Sequence, residues 1–246
     1  QNGPISSISM RTNQIRLIEQ MVVKFRQDVG LGNTDAINLK SLLLKLKVVS
    51  IFRPLSDDFC GMSLKDSSSH RFMLINSNHS KGRQHFTIAH ELFHLFIEEN
   101  PKPHKCTLSN GSKNPIEQQA NMFASILLMP EDGILQLLSK NEVEKGEVTL
   151  ASVLRIEHYY SVSRQALLNR LSDLSFINKA SKEELLKISA TQSAREYGYD
   201  TSLYQPGNEN LIVGDFGEKA RILFDAGKIS EGHYIELLNK LDYNGK

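Results

Sequence analysis

His90-Glu91-Leu92-Phe93-His94 places two imidazoles four residues apart, with a carboxylate next to the first. On a helix, four residues advance the chain by ~400°, so both imidazoles lie one turn apart on one face and can reach a single cation. Glu91 stands beside them without pointing at that cation. This spacing is what zinc-assisted peptide hydrolysis needs. Zinc held by three side chains keeps a fourth position for water, lowers that water's pKa to around 7 and polarises a carbonyl, while a neighbouring carboxylate moves the proton to the leaving amine. Glu91 suits the second task. Chance placement on an amphipathic helix is the competing explanation, and the surroundings weaken it. Phe86, Ile88, Ala89, Leu92, Phe93, Leu95, Phe96 and Ile97 already supply apolar burial, so a carboxylate among them carries a desolvation cost that calls for a partner.

Spacing leaves the third ligand open. Glu98 follows the same helix face but lies ~12 Å along the axis from His90, too far to share one ion. Glu117, His104, Cys106 and Glu131 remain. Glu117 opens a helix signalled by Asn114-Pro115-Ile116-Glu117, where it can face the first helix or complete a capping box with Asn114. Cys106 can act as a thiolate ligand that holds an enzyme latent, or be an inert loop cysteine; His104 reads more simply as a surface histidine.

The elements that position these residues follow from periodicity. Ile15, Ile18, Met21, Val22 and Phe25 mark an amphipathic helix over Arg11–Val29, and a second apolar-rich stretch runs over Ile37–Leu46. Val48–Phe52, Gly61–Leu64 and Arg71–Ile75 are short strands, followed by the helix Phe86–Glu98 and another from Pro115 to about Met129, stopped by Pro130. The charged stretch Ser139–Glu147 marks a boundary. Leu150–Tyr160 and Arg164–Leu174 form two helices joined by a tight turn, Ser189–Gly217 reads as irregular, and Glu218–Leu241 as one or two helices broken at Gly227 and Gly232.

The expected fold is α+β, a zincin-like minimal metallopeptidase core of helices around a small twisted sheet over residues 11–138. A disordered lead-in over 1–10 precedes it, and a helix-turn-helix-like segment over 139–175 and a helical C-terminal region over 176–246 follow. Lys plus Arg (29) nearly cancel Asp plus Glu (28), so no overall field attracts nucleic acid or an anionic membrane. No apolar run reaches the ~18 residues of a membrane span, and Gln1–Ser9 lacks the pattern of a secretory signal. Cys60 and Cys106 are too few for a disulfide framework, which points to a reducing, cytoplasmic compartment.

Two blocks carry a family resemblance. Phe86-Thr87-Ile88-Ala89-His90-Glu91-Leu92-Phe93-His94 and Glu117-Gln118-Gln119-Ala120-Asn121-Met122-Phe123-Ala124-Ser125-Ile126-Leu127-Leu128-Met129-Pro130 closely resemble the signature blocks of the ImmA/IrrE metallo-endopeptidases. The resemblance implies zinc bound by His90, His94 and Glu117, with Glu91 catalytic. Arg83 and Asn76 stand where the family usually has a basic residue and an asparagine, whereas Phe93 replaces a frequent glycine. Val162–Leu171 is similar to the helical segment that follows the core in many members. The resemblance further implies a protein substrate, a helix-turn-helix transcriptional repressor whose cleavage relieves repression in stress response or mobile-element control.

Arg164, Gln165, Asn169 and Arg170 could line a DNA-reading helix, but Glu157 and Asp173 flank them and net charge argues against direct DNA binding. Tyr199, Tyr204, Phe216, Phe224 and Tyr234 serve either a small C-terminal core or partner recognition. A substrate strand would most simply add to the sheet edge near Gly61–Leu64. Two function classes stand side by side: an endopeptidase, and a zinc-stabilised binding module that sequesters a regulator with little or no cleavage.

Overall fold

A computed structural model of the chain describes residues 5–99, 106–107 and 114–239. His104, and the loop lysines Lys102, Lys105 and Lys113, lie outside the described residues. The elements run α1 (Ile5–Asp28), α2 (Leu39–Lys45), β1 (Val48–Arg53), β2 (Phe59–Lys65), β3 (Arg71–Asn76), α3 (Lys81–Phe96), β4 (Cys106–Thr107), α4 (Pro115–Leu128), α5 (Glu131–Leu137), α6 (Lys140–Lys145), α7 (Leu150–Tyr160) and α8 (Arg164–Asp173). The C-terminal part adds α9 (Lys179–Lys187), α10 (Ala190–Glu196), a 3-10 turn (Thr201–Tyr204), β5 (Ile212–Val213), α11 (Phe216–Asp225) and α12 (Glu231–Asn239). The fold is α+β. Among the described residues no helix is long and apolar enough to cross a membrane.

Among the described residues the five strands lie in the order β4-β2-β3-β1-β5. β1 and β3 are parallel, with Val48 opposite Arg71 and Arg53 opposite Asn76, while the remaining pairs are antiparallel. β2 thus lies outside β3, and its far edge carries β4. Asn76, wholly buried at the end of β3, fixes this arrangement: its amide donates to Ser56 O and Phe59 O, and its Oδ1 accepts from Leu55 N and Asn78 N. That gives the asparagine at the strand end a structural task, pinning the start of β2 to β3.

Helix α3 crosses the sheet and is buried over most of its circumference from Gly82 to Leu95, sandwiched by β2, β3 and α4. Edge-to-face rings from α1, α3 and α4 lock the three helices together: Phe25 lies 5.9 Å from Phe96 and 5.7 Å from Phe123, which is 5.7 Å from Phe93. Each such ring adds about 1.5–3 kcal/mol by burial alone. Two buried guanidiniums close the C-terminal end of α4, where carbonyls lack helical partners. Arg26 Nη1 donates to Leu127 O at 2.6 Å and Arg170 Nε to Met129 O at 3.1 Å.

Several sequence expectations need correction. α1 begins at Ile5 rather than Arg11, so the helix takes up part of the expected lead-in. Ser139–Glu147 is no bare boundary, because Ser139 and Glu142 form a capping box that starts α6. Ser189–Gly217 is more ordered than expected: Ser189 caps α10, and Ile212–Val213 pairs with β1. Gly227 does end α11, at φ 65°, but Gly232 sits in the first turn of α12 and breaks nothing.

The segment beyond Leu174 is built into the core. Lys81 N, an orphan donor of the first turn of α3, donates to Gln205 O at 2.9 Å. Gln84, wholly buried, donates to His79 O and Gly207 O and accepts from Asn208 Nδ2. The α7–α8 corner also abuts α3. A Cβ on Gly82 would lie 2.8 Å from Ser163 N and 3.0 Å from the Val162 carbonyl carbon, and His85 Nδ1 meets Ser161 O at 2.8 Å. Of the four residues that could have read DNA, Arg164 and Arg170 are buried and Gln165 and Asn169 exposed, because the two guanidiniums pair inward with Glu157 and with Met129 O.

Candidate metal centre

His90 and His94 project from the buried middle of α3 toward the first turn of α4, where Pro115 at the first helical position and the Asn114 side chain, accepting from Ile116 N, set the start of the helix. This brings Glu117 over the two rings. Glu117 Oε2 lies 3.2 Å from His90 Nε2, its Oε1 lies 3.6 Å from His94 Nε2, and the two Nε2 atoms are 3.2 Å apart.

The outer nitrogens decide what the inner ones offer. His94 Nδ1 lies 2.6 Å from Glu98 Oε2 and His90 Nδ1 3.0 Å from Asn121 Oδ1. Both partners accept, so each ring carries its proton on Nδ1 and presents an Nε2 lone pair inward. Two lone pairs and a carboxylate converging on one point repel one another unless a cation joins them. The donor set, two imidazoles and a carboxylate within 4.8 Å of one another, fits a divalent ion of the zinc type with one position left for water or substrate. Where no cation joins them, a proton on His90 Nε2 takes that place: burial opposes protonation of His90, yet the hydrogen bond to Glu117 and the field of Glu91 outweigh it and hold the pKa above the ordinary histidine value. The pocket attracts positive charge.

Glu91 is 0 % exposed and stands next to this cluster, with Ser63 Oγ on β2 donating to its Oε2 at 2.7 Å. Residues 47–172, just over half of the chain, match the peptidase family described as the IrrE N-terminal-like domain. The chain belongs to the ImmA/IrrE metallopeptidase family. No curated protein matches it significantly in sequence. The family match runs from the start of β1 to α8 and stops short of the segment that caps α3 and pairs with β1.

Within that family frame, spacing did not single out Glu117, and the geometry brings it together with His90 and His94. Glu131 is exposed at the start of α5, beyond the opposite end of α4. Glu98 does not join the converging donors but pairs with one of them, His94, a role that spacing did not reveal; the chain leaves α3 at Ile97, and Glu98 N turns back to Phe93 O at 3.0 Å, which folds the carboxylate over His94. Asn121 and Ser63 were missed for the same reason, since each acts through another residue. Asn121 had one sequence signal, its place one turn after Glu117. Phe93 packs edge-on against the His94 ring at 5.5 Å, so the departure from glycine fills the α3–α4 contact and leaves the converging donors in place.

Cys60 and Cys106 are free thiols that share a hydrogen bond near this cluster. The bond from Cys106 draws the Cys60 pKa down to about 7 against the opposing effect of burial, with Arg83 also in contact. The Cys106 thiol is pushed up by that same bond, by burial and by the Glu91 and Glu117 carboxylates. β4 also covers part of the edge expected for substrate, at Phe59 and Gly61. Among the described residues Met62–Lys65 pair with β3 and carry no strand on the other side.

Proposed function

We propose that the chain is a zinc-dependent endopeptidase that cleaves one specific regulatory protein, a helix-turn-helix repressor, and so relieves repression. Glu91 carries the reading. A module that used a metal only to hold its fold would gain nothing from burying a carboxylate beside three converging donors, at a desolvation cost of several kcal/mol for an ion. Hydrolysis needs one there.

When bound, the cation supplies Lewis acidity to a water and to the scissile carbonyl. His90, His94 and Glu117 would hold it, while Asn121 and Glu98 keep both rings in the ligating tautomer. Glu91 takes the proton of the attacking water and passes it to the departing amine, and the Ser63 hydroxyl fixes its carboxylate for that transfer. The uncovered stretch Met62–Lys65 of β2 offers backbone groups to an extended substrate, which would present one peptide bond to the site. The repressor as substrate follows from the family resemblance, and the selectivity rests on the segment beyond Leu174, which the zinc chemistry does not require and whose aromatic side chains suit partner recognition.

Native protein, Glu91→Gln and His90→Ala, each incubated with zinc and a co-encoded helix-turn-helix regulator, test this. Native protein should cleave the regulator and leave casein largely intact. Glu91→Gln should bind zinc normally and lose about 10²–10⁴-fold in rate, whereas His90→Ala should lose both metal and activity. Cleavage by Glu91→Gln at the native rate would leave only a binding module, equal metal loss in both variants would make Glu91 a ligand, and rapid casein degradation would remove the selectivity.

A further inference from the structure

The two cysteines meet because of a bulge. β4 pairs with β2 through Phe59↔Thr107 and Gly61↔Cys106, so Cys60 is an extra residue between adjacent pairs. In a regular ladder Cys60 would face away from Gly61 and its partner. A bulge breaks that alternation and re-aims the extra side chain, which brings the Cys60 and Cys106 thiols into hydrogen-bonding contact. The Gly61 face is also the face of the metal ligands. A Cβ on Gly61 would lie 2.7 Å from Thr87 Cγ2 of α3, and Ser63, two residues on, reaches Glu91. Cys106 sulfur accordingly joins ligand atoms of His90 and Glu91 in a group all within 4.8 Å of one another.

We propose that Cys106 is a fourth ligand to the metal, holding the peptidase latent, and that oxidation of the Cys60–Cys106 pair to a disulfide withdraws it. This rests on the reading of His90, His94 and Glu117 as the ligands of a peptidase. Three donors leave one tetrahedral position, and nitrogen and sulfur ligands on one zinc stand ~3.6 Å apart at bonds of ~2.1 and ~2.3 Å. Cys106 sulfur stands in a group with His90 and Glu91 but outside the one that His90 forms with His94 and Glu117, so it must move toward those two to close the coordination. Sulfur there takes the position the attacking water needs, and β4 lies on the part of the β2 edge that precedes Met62.

Release requires a peroxide. The Cys106 thiolate attacks one peroxide oxygen, breaks the O–O bond and becomes a sulfenic acid as hydroxide leaves; the Cys60 thiolate then attacks that sulfur, forms the S–S bond and expels a second hydroxide. One proton from the Cys60 thiol and one from solvent, matching the proton Cys106 released when it bound the metal, turn those hydroxides into two waters, so the two sulfurs lose two electrons and the peroxide gains them. Arg83, in contact with Cys60, sets a positive charge beside the attacking sulfur.

Cobalt(II) loaded into the full chain reads the coordination directly. Native protein and Cys60→Ser should show a sulfur-to-cobalt charge-transfer band; Cys106→Ser should lose that band completely while keeping the visible bands of bound cobalt. Hydrogen peroxide at one equivalent should abolish the band in native protein and yield a linked Cys60–Cys106 peptide lighter by two hydrogens, and dithiothreitol should restore the band. A persistent charge-transfer band in Cys106→Ser overturns the proposal. Native protein with visible cobalt bands but no sulfur band overturns it and leaves the peptidase reading standing. Failure to bind cobalt at all removes both.

Discussion

Glu98 gives the sharpest quantitative test of the proposed centre, because it touches His94 from outside the group of converging donors. Its carboxylate accepts from His94 Nδ1 at 2.6 Å; the His94 side chain is 2 % exposed and that of Glu98 16 %, so water screens the contact little. Removing such a partner frees the ring to turn, makes the wrong tautomer available and lowers ligand basicity, at a typical cost of about 10–100-fold in metal affinity, or ~1.4–2.8 kcal/mol. A charged, short bond belongs at the upper end, since charge-assisted hydrogen bonds are roughly twice as strong as neutral ones. Glu98→Ala should therefore weaken zinc binding by about 100-fold and Glu98→Gln, which still accepts but carries no charge, by about 10-fold. Asn121→Ala should fall near the Gln variant, because the His90–Asn121 bond is neutral and longer, at 3.0 Å. Competition against a chromophoric chelator at neutral pH measures all three, with circular dichroism to show that the fold is kept. If every variant binds zinc within roughly twofold of native protein, the outer partners do not tune the ligands and the tautomer argument for the site fails.

Other elements give further tests. Gly82→Ala forces a Cβ to 2.8 Å from Ser163 N, both on backbone that cannot swing aside, and should lower stability by about 1–3 kcal/mol in urea unfolding; an unchanged midpoint would mean the α7–α8 corner is not seated on α3. Glu142 accepts from Ser139 N and Oγ and from Thr149 N and Oγ1, and although burial alone would raise its pKa, these bonds hold it at about 2. A depressed folded-state pKa adds stability above the unfolded value of ~4.3, and that contribution drains as pH falls through this window toward the folded value. Glu142→Gln should thus cost ~1–3 kcal/mol at neutral pH and progressively less on acidification, whereas a deficit that stays constant with pH would refute the linkage. Truncation before Ser175 should lower the melting temperature and weaken metal binding, because it strips β5 from β1 and removes the acceptor of Lys81 N and the partners of Gln84; a truncated chain that melts and binds zinc like the full one would show the segment to be an appendage.

The truncation also bears on what was legible in the sequence. Local signals carried well: the His90–His94 spacing, the Asn114-Pro115 helix start and the Ser161–Ser163 turn each depend on residues within one or two turns, and α4, α7 and α8 begin where those signals put them. Two local signals were passed over, Ser139-x-x-Glu142 and the serine before α10, and each cost an element. What periodicity cannot report is a bond across the chain. Gln84 and Asn208, 124 residues apart, look like ordinary polar residues until the fold buries one of them. The same holds at the metal centre. His90, Glu91 and His94 were visible because metal chemistry constrains their spacing along one helix, whereas Glu98, Asn121 and Ser63 serve by touching those side chains from a helix end, a second helix and a strand. Cys106 is the extreme case: its place beside His90 depends on one extra residue in β2, a register detail with no signature in composition or periodicity.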